Sequence, residues 1–501
     1  MISVSKHARN LHGYSNWIEV AAEVDNDAEA QFQMGLSFDS ESDQENLELA
    51  EKWYRRAAEQ GHVDAQQMLG LLLQVKGAND ESMHWLLKAA EAGHAESQCL
   101  VGQSYVYGDG VEANTELGLQ WLKKSAEQNY DDAMFTIGLC YQEEIGVAED
   151  RVESARWFKL AADLGHVDAQ CNLGYQYMHG LGLPKDYDEA LRLFRLASEK
   201  SHIEGQTNLA LMYEKGRGVE QDYAEAARLY LMPAEKGQAD AQYNLASLYE
   251  SGNGVEMDGE QAAKWYKLAA AQGYEGAAYR LGLLYFNGKK AAKDYKEALK
   301  WFLEEARKGD EKAQYFAGYC FFWGKGVKED EKEGVYWYKL SADQGYDAAC
   351  SAMGYALMHG LGIKKNCTEA AIWLQKAIDA GDNKYATNNL ALLYKRGDGV
   401  PKDAKQANRL FRISAENDNS DAQYELGISL QYKFFADHKE AVFWFQKSAA
   451  QGNKNAQYSL ALCYEHGTGV KKDLSEALSW YRKAAEQNHK QAQARVQVLT
   501  V

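Results

Sequence analysis

The stretch Ala241–Gly276, AQYNLASLYESGNGVEMDGEQAAKWYKLAAAQGYEG, decides the fold. Ala241, Leu245 and Tyr249 fall at i, i+4 and i+8, one stripe of a helix that we name helix A. Gly252 and Gly254 then break the helical pattern. Ala262, Trp265, Tyr266, Ala269 and Ala270 form a second stripe, helix B. Gly273 follows where a left-handed residue closes a helix. Neither helix can bury its stripe alone, so the unit must stack on copies of itself.

Those copies fill the chain. The start of helix A recurs at Ala30, Ala65, Ser97, Ala133, Ala169, Gly205, Ala241, Ala277, Ala313, Ala349, Ala386, Ala422, Ala456 and Ala492, with a step of 36 residues from Ala133 to Ala349. This gives thirteen repeats and the start of a further helix. Trp17, Ala21 and Ala22 echo Trp53, Ala57 and Ala58, which reads as a half repeat. The expected organisation is a tail and half-repeat cap over residues 1–29, repeats over 30–491 and a capping helix over 492–501.

Other patterns yield to the repeat. Asp or Asn followed three residues later by Glu recurs before helix B, as in Asp150/Glu153, Asp186/Glu189, Asp330/Glu333 and Asp437/Glu440. It reads as a capping box: the first side chain accepts from a free backbone amide and the second reaches back. The Gly108-Asp-Gly110-Val111 type of loop resembles a phosphate cradle, but it joins two helices and lacks the following Lys-Ser/Thr. It reads as a turn, with the valine plugging the gap between helices. Pro233, in a helix B alanine position, is expected to kink that helix.

The formal charge is 55 − 73 = −18 over 501 residues. Such a surface repels phosphate, so nucleic acid and anionic membranes are disfavoured; a basic protein partner would be attracted, but the excess acid reads first as an ordinary solubility device. The N-terminus lacks a signal-peptide core and no stretch is long and apolar enough to span a bilayer. The chain is expected in the cytoplasm. Six of the 7 cysteines fall irregularly in helix A and read as small core residues in a reducing compartment.

The pattern A-Q-x-x-L-G/A-x-x-Y-x-x-G-x-G-V-x-x-D-x-x-E-A-x-x-W-Y-x-x-A-A-x-x-G resembles the Sel-one-like repeat (SLR) family, from about Trp17 to the C-terminus. Its relatives among tetratricopeptide repeats have a period of 34 and a proline that is missing here. The resemblance implies an all-α, right-handed superhelical solenoid, with helix A lining a concave groove. It also implies an adaptor, often bacterial, that binds protein partners. The family's secreted members carry paired cysteines in each repeat, which this chain lacks.

A residue explained by its repeat position needs no further function. Trp53, Trp85, Trp121, Trp157, Trp265, Trp301, Trp337, Trp373, Trp444 and Trp480 share one helix B position, whereas Trp323 lies off-register at the end of helix A in repeat nine. Tyr315, Tyr319, Phe322 and Trp323 share one face of that helix, and Ala313, Ala317 and Phe321 form the expected core face. Neighbouring repeats add Phe286, Tyr355 and His359. These aromatic residues are the candidate partner-binding site, because Trp and Tyr dominate interaction hot spots. Tyr315 and Tyr319 read first as core; Trp323 reads equally as core and as groove.

His62, His94, His166, His202 and His489 recur after helix B and read as structural. No metal-ligand spacing, cofactor motif or nucleophile motif stands out. The leading expectation is a non-enzymatic cytoplasmic scaffold that holds a protein or peptide in the groove. The alternative is an immunity or antitoxin-like protein that neutralises a toxin. A β-lactam-binding or other hydrolase is the weaker third reading, since no catalytic residues cluster off-register.

Overall fold

The computed structural model describes residues 18, 20–39, 44–288, 293–382, 384–431 and 437–500. Trp17 lies outside the described residues. Among them, α-helices joined by short turns account for all regular structure, in the order A, B, A, B from Ala28 to Leu499. The quoted repeat has helix A over Ala239–Ser251 and helix B over Gly259–Ala271. The chain forms two compact units, one of Met1–Leu248 with Asn253–Val255 and one of Tyr249–Gly252 with Glu256–Val501. Helices pack on their chain neighbours from Ala28–Asp39 to Tyr223–Glu235 in the first unit and from Gly259–Ala271 to Lys490–Leu499 in the second, an all-α solenoid of helix–turn–helix repeats.

The cap residues behave as their chemistry requires. Asp330 Oδ1 accepts from the amides of Lys332 and Glu333 (both 3.1 Å), and Asp150, Asp186 and Asp437 act alike. The second half of the expected capping box is different. Glu333 and Glu440 accept from the indole N–H of Trp337 and Trp444 four residues on (2.9 and 3.2 Å). Glu189 and Glu225 pair forward with Arg192 and Arg228. The cap amide is already spent, since Asp330 N–H donates to the Phe321 carbonyl (2.8 Å) and Asp186 N–H to the Tyr177 carbonyl (3.0 Å), so the glutamate turns to a tryptophan or arginine one turn further along.

The glutamine of the Ala-Gln start has a role that spacing did not reveal. Gln314 Nε2 donates to the Ala306 carbonyl at the end of the preceding helix B (3.1 Å), and its Oε1 accepts from Gln344, one helix B later (2.8 Å). Gln344 also donates to the Gly309 carbonyl (2.9 Å). The set recurs with Gln98/Gln128 and Gln457/Gln487. These amides add a second hydrogen bond to a last-turn carbonyl of helix B, which already accepts from a backbone amide, and tie neighbouring repeats together.

Turn glycines and their valines also join repeats. Gly362 has φ +65°, and a Cβ there would overlap the Glu331 carbonyl oxygen at the start of the preceding helix B. Its N–H donates to Glu331 Oε2 (2.8 Å). Val327, Ile363, Val400 and Val470 are half-buried against the core, as expected of plugs. The helix of Pro233 runs as one segment from Tyr223 to Glu235, so the proline does not end it. All 7 cysteines are unpaired and six of them are buried.

Candidate functional site

Helix A of repeat nine, Glu311–Phe322, starts at Asp310, whose Oδ1 caps the Ala313 amide (2.6 Å), and ends at Trp323. Ala313, Ala317 and Cys320 are fully buried. Tyr315, Tyr319 and Trp323 stand four residues apart. Each such step turns the helix about 40° past a full revolution, so by Trp323 the stripe has moved about 80° from Tyr315. That rotation carries Trp323 out of the packed interface, where it is 46% exposed. Phe322, seven residues after Tyr315, returns to within about 20° of it. Phe322 is accordingly buried, 3% exposed, with its ring 5.6 Å from that of Tyr338. This corrects the expectation for the last turn. Phe322 belongs to the core beneath the site, while Phe321, expected in the core, is only half-buried.

The exposed rings face a groove of about 810 Å³. Its walls come from the A helices of repeats nine, ten (Asp347–His359) and eleven (Tyr385–Arg396), and from the start of repeat twelve. Of the sequence candidates, Tyr315, Tyr319, Phe322, Trp323 and Tyr355 line it. The Trp323 ring lies 6.5 Å from Tyr319 and 6.4 Å from Tyr355. Tyr315 and Tyr319 are half-buried, packing on the core with one side and facing the groove with the other. Phe286 lies behind this wall, 5.6 Å from the Tyr319 ring. The His359 ring lies 4.6 Å from that of Tyr355, tilted 50° to it, but does not line the groove; burial and the charges of Arg396 and Lys365 hold its pKa below the ordinary value.

The third position of helix A holds a ring in Phe32, Phe135, Tyr243, Tyr279, Tyr315, Tyr424 and Tyr458, and no ring in Gln67, Cys99, Cys171, Thr207, Ser351 and Asn388. Ser351 and Asn388, in repeats ten and eleven, line the groove beside Trp323. The candidates read from the sequence were all rings and missed this polar wall. Successive positions without a ring also occur at Gln67/Cys99 and Cys171/Thr207, so the linear pattern does not locate the wall.

The polar wall is rich in acceptors. Asn388 is 7% exposed, and its Oδ1 has no hydrogen-bond donor among the described residues. Asn417 donates one of its two amide N–H groups to the Ile413 carbonyl (2.9 Å). Asp347, Asp382 and Asp421 bring three carboxylates against the one ammonium of Lys384. Asp382 is committed to the backbone amides of Lys384, Tyr385 and Ala386. Burial and the neighbouring phenols push the Tyr315 hydroxyl up to about 12 and Tyr338 further still, so both stay protonated at neutral pH. The groove can therefore stack planar groups and accept hydrogen bonds. Among the described residues, no group of three or more His, Cys, Asp or Glu is placed to hold a metal.

Comparison with known proteins bears on the fold. The Sel1 repeat model matches thirteen times, at residues 28–62, 63–94, 95–130, 131–166, 167–202, 203–238, 239–274, 276–310, 311–346, 347–382, 384–419, 420–453 and 454–489. No curated protein matches the chain. Among solved structures, c5321, a protective antigen present in uropathogenic Escherichia coli strains and displaying an SLR fold, is 30% identical over 83% of this chain and 90% of its own, with a TM-score of 0.77. A Sel1 repeat protein from Oxalobacter formigenes is 30% identical over 60% of this chain and 87% of its own, with a TM-score of 0.47. The immunity protein Pa5087 from Pseudomonas aeruginosa is 19% identical over 43% of this chain and 83% of its own, with a TM-score of 0.29. With thirteen consecutive matches from residue 28 to residue 489, this chain belongs to the Sel1 repeat family.

Proposed function

We propose that this chain is a non-enzymatic scaffold that binds a segment of a partner protein in the groove of repeats nine to twelve. The observation that carries the reading is the groove of about 810 Å³ walled by Ser351 and Asn388 beside an exposed off-register tryptophan, Trp323. Sel1 repeats are typically protein-interaction folds, which supports a protein ligand over a metabolite. The free cysteines favour a reducing compartment, hence the cytoplasm. No helix of the described residues is long and apolar enough to cross a membrane.

The test separates folding from binding. Trp337 is 8% exposed in the core, so Trp337→Ala should cost about 3–5 kcal/mol. Trp323→Ala should cost about 1 kcal/mol or less, because nearly half of the ring already faces solvent. Proteins that co-purify with the wild-type chain from its native host should be lost with Trp323→Ala and with Ser351→Tyr. If Trp323→Ala melts as early as Trp337→Ala, or if both groove variants keep the same partners, the groove is not the binding site.

A further inference from the structure

The groove's occupant can be specified by its chemistry. We infer that it is an extended segment of a partner protein that presents an arginine, whose guanidinium lies over Trp323 while its N–H groups meet the acceptors of the opposite wall. The inference rests on the groove reading above and adds the ligand class to it.

Three observations converge. The first is charge: three carboxylates and one ammonium line the groove, inside a chain of net charge −18. The second is the ring. Eight of the ten tryptophans at the helix B position, all but Trp157 and Trp337, are covered by a cation of their own chain among the described residues: Lys124 lies 4.0 Å from the Trp121 ring, Lys376 4.1 Å from Trp373, Lys483 3.9 Å from Trp480 and Arg56 4.9 Å from Trp53. Among the described residues no cation of this chain covers Trp323, although it is the exposed one. The third is the set of acceptors. Asn388 Oδ1 lacks a donor among the described residues, and Asp347 commits Oδ1 to the Ala348 amide (2.7 Å), leaving the second carboxylate oxygen.

A ligand that suits this set must donate, carry positive charge and present a flat face. Guanidinium does all three: it has five N–H donors, no acceptor and a plane that stacks on aromatic rings. An ammonium fits less well, being compact and strongly hydrated. A carboxylate or phosphate would meet three carboxylates with the single Lys384 ammonium to offset them. The groove's volume exceeds one side chain, which leaves room for the flanking backbone to run past Asn388 and Tyr385.

The probe is a fluorescein-labelled decapeptide, Gly-Ser-Gly-Arg-Gly-Ser-Arg-Gly-Ser-Gly, titrated with the full-length protein and read by anisotropy. Two companions replace both arginines with citrulline, which keeps the shape and removes the charge, or with glutamate. The expected result is saturable binding of the arginine peptide, weaker by about tenfold or more for citrulline and undetectable for glutamate. Asn388→Tyr restores the ring that the repeat carries elsewhere, so it should fold, fill the groove and abolish binding. Trp323→Ala should weaken binding by about tenfold while lowering the melting temperature far less than Trp337→Ala does. Equal binding of the citrulline peptide overturns the arginine inference and leaves a peptide groove standing. Equal binding of the arginine peptide by Asn388→Tyr and Trp323→Ala overturns it too, since the peptide then sits on the diffuse acidic surface. Absence of saturable binding by any of the peptides also overturns it.

Discussion

At the residue scale, the histidines after helix B show how one position serves two repeats. Nδ1 of His166 accepts from the Ala169 amide (3.1 Å), so the proton resides on Nε2, which faces Asp132 of the preceding repeat (3.0 Å). His202 repeats this with Gly205 and Asp168. A ring protonated at both nitrogens cannot accept and must release the cap. His489 caps the last helix, Lys490–Leu499, and burial together with Lys454 holds its pKa below the ordinary 6.5. The unfolded chain therefore binds this proton first. The stability contributed is complete above the ordinary value and is lost as pH falls through the folded one. Asn453 makes the same cap, with Oδ1 accepting from Ala456 (3.0 Å), and does not titrate. His489→Asn should preserve amide protection in Lys490–Leu499 at pH 7.5 and retain more of it at pH 5 than the wild type. Hydrogen exchange at the two pH values checks this, and parallel loss in both proteins would refute it.

At the scale of the element, the glycine turns set the distance between repeats. Most of the sequence reading survives here: helix A, helix B, the aspartate caps and the plugging valines stand where the pattern placed them. The pattern could not show that the second turn glycine also touches the preceding repeat, because that contact spans about thirty residues of chain. Gly362 and Gly345 separate the two demands. Both have positive φ, but a Cβ at Gly345 meets nothing within 4 Å, while one at Gly362 meets the Glu331 backbone. Gly345→Ala should cost about 1 kcal/mol in backbone strain. Gly362→Ala should cost at least about 2 kcal/mol more, because the preceding helix B must shift. Urea unfolding of the two variants makes the comparison, and equal losses would mean that the turn relaxes freely.

For the whole molecule, stability is a sum over neighbouring interfaces and not the property of one core. The core is accordingly divided: one set of buried side chains runs from Phe322 to Cys463, another from Cys99 to Leu193. Damage should stay local. In Trp337→Ala, hydrogen exchange should accelerate in repeats nine and ten, while helices Asp131–Gln142 and Arg151–Leu164 of repeat four keep wild-type protection. Uniform acceleration along the chain would show a cooperativity that nearest-neighbour stacking does not supply.

The sequence by itself determined the repeat, its thirteen copies, the two helices of each and the caps that start them. All of these follow from local periodicity and from hydrogen bonds within a few residues, which a linear pattern records. It also singled out Trp323, because an internal repeat exposes any residue out of register. The tertiary structure decided which side of that last turn faces outward, placing Phe322 under Tyr338 and leaving Trp323 free. It also decided that Ser351, Asn388 and Asn417 share one wall. These residues are far apart in the chain, and only stacking of successive A helices brings them together.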